Sequence, residues 1–188
     1  MASSDFQDFI AFTRQSNLAK ANRYSVYITG FPFSIQSEGN TAKNLSLMSD
    51  AASHAGYSIG TKDASYSNTA FMLPDGSRNF NNTTTVTFLL DEAHQVKVFF
   101  KNWMDSVVNK DTGFISYPAD YICDTMTVNQ LDMLDRVTYF TTFYNVYPVE
   151  IGEIQVSNDA SNTFSRLTVV FQFEKWDSTA VKTNSSLS

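Results

Sequence analysis

Residues 78–109 read RNFNNTTTVTFLLDEAHQVKVFFKNWMDSVVN, and they carry the clearest structural pattern in the chain. Its first part, from Thr83 to Leu90, is rich in threonine and other β-branched residues, which suit a pleated, half-buried surface. Period-two alternation predicts a strand here, with Thr85 and Thr87 on one face. The other face is apolar and consists of Val86, Phe88 and Leu90.

A helix is predicted directly after this strand. Asp91 is its predicted N-cap, because the carboxylate can accept hydrogen bonds from the free N–H groups of the first turn. Glu92 suits the positive end of the helix dipole. Each large apolar side chain on the helix would contribute roughly 1.5–3 kcal/mol if fully buried, so the helix is expected to pack on a sheet. The apolar residues that recur at a helical period are Ala93, Val96, Phe99, Phe100, Trp103 and Val107.

The composition indicates one domain with a large core and surfaces that contact other protein. The chain has 188 residues, with 16 Phe, 9 Tyr and 2 Trp, and only 17% of residues are charged. The net charge of −6 argues against general nucleic-acid binding, because no basic stripe neutralises phosphates. An acidic surface could instead repel DNA that merely passes nearby.

The cysteine count and the N-terminus indicate a protein of a reducing compartment. Cys123 is the single cysteine, which excludes an intramolecular disulfide. Asp5 and Asp8 stand among phenylalanines at the N-terminus, a pattern unlike a secretory signal. No window approaches the ~18 apolar residues of a membrane span, so a soluble chain is predicted.

Three regions are predicted along the chain. Residues 1–20 form an N-terminal arm with apolar positions at Phe6, Phe9, Ile10 and Phe12. Two interpretations of this arm stay open: a strap across its own domain, or a contact with a neighbouring subunit. Residues 21–177 form a β-barrel domain, and residues 178–188 form a flexible polar tail.

The domain contains a long segment without strong periodicity at 37–70. We predict a loop or hairpin that becomes ordered against a partner. The apolar residues expected to make that contact are Leu47, Tyr57 and Ile59. A turn is predicted where this region ends, at Pro74–Asp75–Gly76.

The remaining pattern is that of short antiparallel strands. Residues 22–28 alternate as a first strand, and residues 121–131 and 137–146 form a hairpin through a connection at 131–136. Pro148 is predicted to end the second strand of this hairpin, and Gly152 marks the next turn. A final strand closes at Trp176. The fold class is therefore mainly β with one main helix, an antiparallel barrel or sandwich.

Some residues resemble parts of catalytic or metal-binding motifs, but the other residues that those motifs require are missing from the sequence. Residues 91–94 read DEAH, a helicase signature, but the glycine-rich phosphate loop that it requires is missing from the sequence. His54 and His94 are the two histidines, and no ligand spacing indicates a metal site. Cys123 lies in an alternating strand, where a cysteine is usually a small buried residue and not a nucleophile. No enzyme activity, cofactor or metal is predicted.

Four stretches in this order resemble the tail tube proteins of contractile-tailed bacteriophages. They are 22–28, the strand and helix of 78–103, the segment 147–154 and the closing residues 174–176. The fold motif is carried by Asp91, Glu92, His94, Trp103, Pro148, Gly152 and Trp176. Type VI secretion tube proteins are similar in fold, and the family has no catalytic residues to transfer.

The resemblance implies a structural role. Subunits of this family form hexameric rings that stack into a hollow tube inside a contractile sheath, and DNA passes through the lumen during ejection. The implied partners are further copies of the chain, a sheath protein, a tape-measure protein and baseplate proteins, with DNA in transit and no membrane. The implied location is the virion tail, assembled in the host cytoplasm. Baseplate initiators, terminator rings and type VI secretion tubes remain alternatives.

Overall fold

The computed structural model describes residues 6–7, 10–11, 19–32, 35, 41–66, 69–80, 82–154 and 164–181. The strands are β1 (Tyr24–Thr29), β2 (Ser49–Ala52), β3 (Tyr57–Tyr66), β4 (Thr69–Phe80), β5 (Thr83–Leu89), β6 (Cys123–Leu131), β7 (Val137–Ile151), β8 (Arg166–Gln172) and β9 (Lys175–Ala180). The helices are α1 (Thr41–Met48), α2 (Gln95–Val107) and α3 (Pro118–Tyr121).

Strand β7 belongs to two sheets. Its first part pairs with β6 on one side and β9 on the other, and its last residues, from Tyr147 to Ile151, pair with β8. The strand passes from one sheet to the other near Asn145, whose φ of 55° lies in the left-handed region. We call β1, β6, the first part of β7, and β9 sheet A, and the last part of β7 with β8, β5 and β2 sheet B.

The two sheets form a sandwich that does not close into a barrel. The strand order runs β1–β6–β7–β8–β5–β2, all neighbours are antiparallel, and β1 and β2 do not pair with each other in the described residues. The prediction of a mainly β, antiparallel fold with one main helix is confirmed.

Helix α2 fills the space beside the two sheets. Its residues Val96, Phe100 and Trp103 are buried, as the helical period predicts. The Phe100 ring lies 5.0 Å from that of Phe88 and 5.7 Å from that of Phe171. Strand β5 and helix α2, both within residues 78–109, therefore pack directly on each other.

The helix begins later than predicted. It starts at Gln95, and the four residues before it form a turn in which the His94 N–H donates to the Asp91 carbonyl at 3.0 Å. His94 has a φ of 53°, which ends the turn and redirects the chain. The Asp91 carboxylate still accepts from the Gln95 N–H at 2.8 Å. Asp91 thus caps the helix through a turn, and Ala93 lies exposed outside it.

The segment predicted as a long loop contains regular structure. Within 37–70 the chain forms α1, β2, β3 and the start of β4. Strands β3 and β4 pair only with each other, as a separate two-stranded sheet. Both of its faces carry exposed residues, so no alternation of apolar and polar side chains marks its strands.

Three further boundaries differ from the prediction. Pro148 does not end β7, because its missing N–H falls at a register irregularity between Pro148 and Glu150. The predicted turn at 74–76 is an irregularity inside β4, where Gly76 has a φ of 82°. The predicted tail begins inside β9, which continues to Ala180. Residues 182–188 lie outside the described residues.

Candidate subunit interface

The face of sheet A that points away from the core is covered by hydroxyl groups. Because Val26, Val128 and Phe143 are buried, the alternate residues of each strand lie on the opposite face. The register aligns these alternate residues in three rows across the four strands. The rows are Ser25, Asn129, Phe140, Thr179; Tyr27, Thr127, Thr142, Asp177; and Thr29, Thr125, Tyr144, Lys175.

Hydrogen bonds between strands tie these rows together. The Thr29 and Thr125 hydroxyls lie 2.7 Å apart, and the Asn129 amide donates to the Ser25 hydroxyl at 3.3 Å. The Lys175 Nζ lies 5.0 Å from the centroid of the Tyr144 ring, which is in the same row. Lys175 and Asp177 are the charged residues among the twelve, and their charges cancel. The face is therefore polar and neutral.

Sheet A ends in two strand edges that no other strand covers in the described residues. Strand β9 pairs with β7 alone, and β1 pairs with β6 alone. The Val181 N–H donates to the Thr138 carbonyl at 2.8 Å, and hydrogen-bonded residues alternate along an antiparallel pair. The backbone groups that face the uncovered side of β9 are consequently those of Trp176, Ser178 and Ala180.

The β3–β4 hairpin forms an apolar arm that leaves the domain beside β9. At its base the Tyr57 ring stacks on the Trp176 ring, with centroids 6.3 Å apart. Beyond the base, large apolar side chains are exposed, and Met72 retains 69% of its accessible surface. The exposed apolar side chains of this arm are Tyr57, Ile59, Phe71, Met72 and Leu73. A monomer seldom exposes so many apolar side chains together unless they meet a partner.

The connection before the arm is held by polar contacts. The Ser53 hydroxyl lies 3.2 Å from that of Thr84, and His54 Nδ1 lies 2.9 Å from the hydroxyl of Thr141. The His54 ring also contacts the Tyr139 ring edge-on at 5.2 Å. Burial lowers the pKa of His54 from its ordinary 6.5, while a hydrogen bond with Gln130 opposes this effect. His54 thus joins the arm to sheet A, and its burial favours the neutral form of the ring.

We expect His54 to make stability depend on pH. Its folded pKa is depressed, so the unfolded chain binds more protons near the ordinary value, and stability falls as pH decreases through that range. Between about pH 7.5 and about pH 5.5, His54→Asn should lose less stability than the unmodified chain does. His94→Asn is the matched control, since His94 is exposed in a turn. Urea unfolding at both pH values measures the difference, and an equal loss in all three proteins would contradict the prediction.

Two further surface segments carry exposed apolar residues. The β6–β7 turn presents Met133 and Leu134, and it is held by the Asp132 carboxylate, which accepts from the N–H groups of Leu134 at 2.7 Å and Arg136 at 2.9 Å. These hydrogen bonds lower the pKa of the Asp132 carboxyl. The loop after α2 presents Phe114, Ile115 and Tyr117.

The residues predicted to carry the fold motif occupy different environments. Trp103 and Pro148 are buried, whereas Asp91, Glu92 and His94 lie in the turn before α2. The Gly152 N–H donates to the Thr168 carbonyl at 2.7 Å, and a Cβ on this glycine would lie 3.0 Å from that same oxygen. Trp176 packs between the core and the base of the arm.

The predicted contact residues are exposed where the structure describes them. Leu47, Tyr57, Ile59 and Phe6 all present large parts of their side chains to solvent. Phe9 and Phe12 lie outside the described residues. The sequence pattern did not predict exposure for the three apolar residues of β4, 71–73, or for Phe114, Ile115 and Tyr117 of the loop. Their apolar character was readable, but only their exposure reveals them as surface.

Neither a metal cluster nor a membrane helix occurs in the part of the chain that the structure describes. Groups of three or more potential metal ligands are absent there. Every described helix is also too short or too polar to cross a membrane. Buried polar side-chain atoms of these residues all have hydrogen-bond partners.

Comparisons with known proteins match the chain to phage tail tube proteins. The family model described as phage tail tube protein matches residues 19–179. Tail tube protein gp19 of Enterobacteria phage T6 is 27% identical over 105 residues, which cover 54% of this chain and 63% of that relative. The chain therefore matches less than two thirds of that relative's length.

Solved structures share the fold at low sequence identity. A chain in the anti-feeding prophage baseplate superposes with a TM-score of 0.59 at 11% identity, covering 89% of this chain and 99% of that one. A chain in the sheath–tube complex of the extracellular contractile injection system PVC has a TM-score of 0.56 at 11% identity, with 91% and 97% covered. Hcp1 of E. coli EAEC 042 has a TM-score of 0.52 at 12% identity, with 85% and 92% covered.

Proposed function

The chain belongs to the phage tail tube protein family, and on that premise we propose that it is the subunit of the inner tube of a contractile phage tail. In this function, six copies close a ring, rings stack into a tube, and DNA passes through the lumen during ejection. The observation that carries the proposal is the pair of edges at opposite ends of sheet A that no other strand covers among the described residues.

These two edges are complementary in direction. The four strands of sheet A alternate in direction, so β1 and β9 run opposite ways. When β9 of one copy meets β1 of the next, the new pair is antiparallel and the alternation continues without interruption. Repetition around a closed ring leaves no exposed edge, which removes the aggregation hazard that open edges carry.

The position of the second layer supports a proposal for which face of sheet A lines the lumen. Sheet B and α2 lie on the core side of sheet A. In a ring closed through sheet A, this bulky layer fits on the outside, where the circumference is larger. The hydroxyl rows of sheet A then face the lumen. A neutral wall without a basic stripe offers DNA no cluster of cations to bind, so DNA can pass through.

The apolar arm and the outer surface supply the remaining contacts. The arm, whose strands have 10 and 12 residues, is proposed to reach a copy in the adjacent ring, where its exposed side chains would be buried. Sheath, tape-measure and baseplate proteins are the proposed other partners. The proposed location is the virion tail, after assembly in the host cytoplasm. A baseplate initiator, a terminator ring or a type VI secretion tube is the alternative use of the same fold.

Negative-stain electron microscopy of the concentrated protein, with mass measured in parallel, tests the proposal. Sixfold rings that stack into hollow tubes are the expected result. Rings that never stack would favour the initiator or terminator function. A chain that stays monomeric even when a baseplate is supplied would overturn the proposed function.

We expect the arm to be required for stacking. The double substitution Ile59→Asp with Met72→Asp replaces two exposed apolar side chains by charges, which would have to be buried at the contact between rings. Rings should persist while long tubes disappear in electron micrographs. Ser58→Asp with Ser65→Asp adds the same charge on the same arm and is the control. Equal loss of tubes in both variants would show that charge alone is responsible.

The N-terminal arm is proposed to contact a neighbouring subunit through Phe6, Phe9 and Phe12. Deletion of residues 1–15 should leave a folded domain, because β1 starts only at Tyr24. Stacking should weaken because the three phenylalanines proposed to make this contact are removed. Circular dichroism and tube length in micrographs measure the two effects. If the truncated protein forms tubes of normal length, these residues make no contact that matters for assembly.

A further inference from the structure

A surface cavity lies between the base of the arm and strand β9. Its volume is about 380 Å³, and its apolar lining consists of the Tyr57, Phe173 and Trp176 side chains. Asn82 and Ser178 complete it on the polar side. The cavity therefore follows the same β9 edge that is uncovered in sheet A.

The rim of this cavity carries one net negative charge. Glu174, Lys175 and Asp177 all line it, and the charges of Lys175 and Asp177, which belong to the hydroxyl rows of the opposite face, cancel each other. The Lys175 Nζ is directed over the Tyr144 ring on the other face of the sheet. The cavity accordingly suits an apolar side chain that has a cation near it.

An exposed apolar side chain with a cation near it occurs on the opposite side of the domain. Helix α1 packs on β1, the other edge strand of sheet A, which pairs with β6 alone in the described residues. Its Leu45 is buried in the core, whereas Leu47 is 71% exposed. Positions two apart on a helix point in nearly opposite directions, so Leu47 faces away from its own domain. Lys43 is exposed on the same helix and is its one charged residue.

We propose that Leu47 of one copy packs into the cavity of the next copy in the ring, against the Tyr57 and Trp176 rings. This inference rests on the proposed pairing of β9 with β1. Leu45 of α1 and Trp176 of the cavity both pack against the core, so α1 and the cavity lie on the core side of sheet A. The pairing of the edges therefore brings α1 of one copy beside the cavity of the other. The single positive charge of α1 meets a rim with one net negative charge.

Disulfide trapping between separate chains tests this contact. Leu47→Cys is placed in one preparation and Ser178→Cys in another, and the two are mixed, assembled and oxidised. A disulfide requires Cα atoms within about 7 Å, so it forms only at close contact. The native Cys123 is buried and does not compete. Leu134→Cys mixed with Ser178→Cys is the matched control, because Leu134 is also 71% exposed.

The expected result is a cross-linked dimer in the Leu47→Cys mixture and none in the control mixture. Rings by native mass spectrometry without this cross-link would overturn the inference and leave the proposed function intact. Equal cross-linking in both mixtures would indicate random collision and would also overturn it. Absence of rings altogether would count against the proposed function itself. As a second measurement, Leu47→Ala should raise the concentration needed for ring formation at least about tenfold.

Discussion

Trp103→Ala is expected to unfold the domain or leave it close to unfolding. The side chain is completely buried, and its Nε1–H donates to the Tyr121 carbonyl at 2.7 Å. Truncation removes a large aromatic side chain and leaves a cavity, which costs about 3–5 kcal/mol. That loss is comparable with much of the stability of a typical domain. The rings whose contacts would be lost are those of Phe31, Phe99, Phe100 and Phe171.

Urea unfolding followed by circular dichroism measures this effect. Trp103→Phe retains an aromatic ring but loses the hydrogen bond, so it should fall between the alanine variant and the unmodified chain. Tyr117→Ala removes an exposed ring and should change stability by less than about 0.5 kcal/mol. A Trp103→Ala protein as stable as the Tyr117→Ala protein would show that α2 does not organise the core.

Ser178→Pro is expected to abolish ring formation without unfolding the subunit. The Ser178 N–H faces the uncovered side of β9, and proline is tolerated at such positions of edge strands. In a ring, however, proline removes one backbone donor and leaves the facing carbonyl unpaired, at a cost of about 1–3 kcal/mol for each contact between subunits. Because every contact in a closed ring carries the change, assembly should fail at concentrations where the unmodified protein forms rings.

Two neighbouring variants separate assembly from folding. Ser178→Ala keeps the backbone donor and should form rings normally. Thr179→Pro removes an N–H that faces β7, so it should destabilise the monomer as well. Native mass spectrometry reports assembly, and urea unfolding reports stability. Normal rings from Ser178→Pro would rule out pairing through the β9 edge.

Local patterns in the sequence determined the elements whose partners lie nearby. The threonine-rich strand at 83–89 and the helix that follows were readable, because their burial repeats at two residues and at 3.6 residues. The β6–β7 hairpin was readable for the same reason, since its strands alternate on either side of a short connection. These elements were enough to indicate an antiparallel fold, whereas the tail tube family was indicated by the resemblance of four stretches, 22–28, 78–103, 147–154 and 174–176, to its members.

Only the tertiary structure decided how these elements form an interface. Three features depend on which backbone segments pair. They are the passage of β7 from one sheet to the other at Asn145, the two edges of sheet A that no strand covers among the described residues, and the separate β3–β4 arm. Backbone N–H and C=O groups are alike in almost every residue, so a local sequence pattern does not show which distant strand they pair with. Met72 and Leu47 are likewise exposed because no other part of the described chain packs over their side chains. An apolar residue has the same identity in a core and in an assembly contact, and only the fold separates the two.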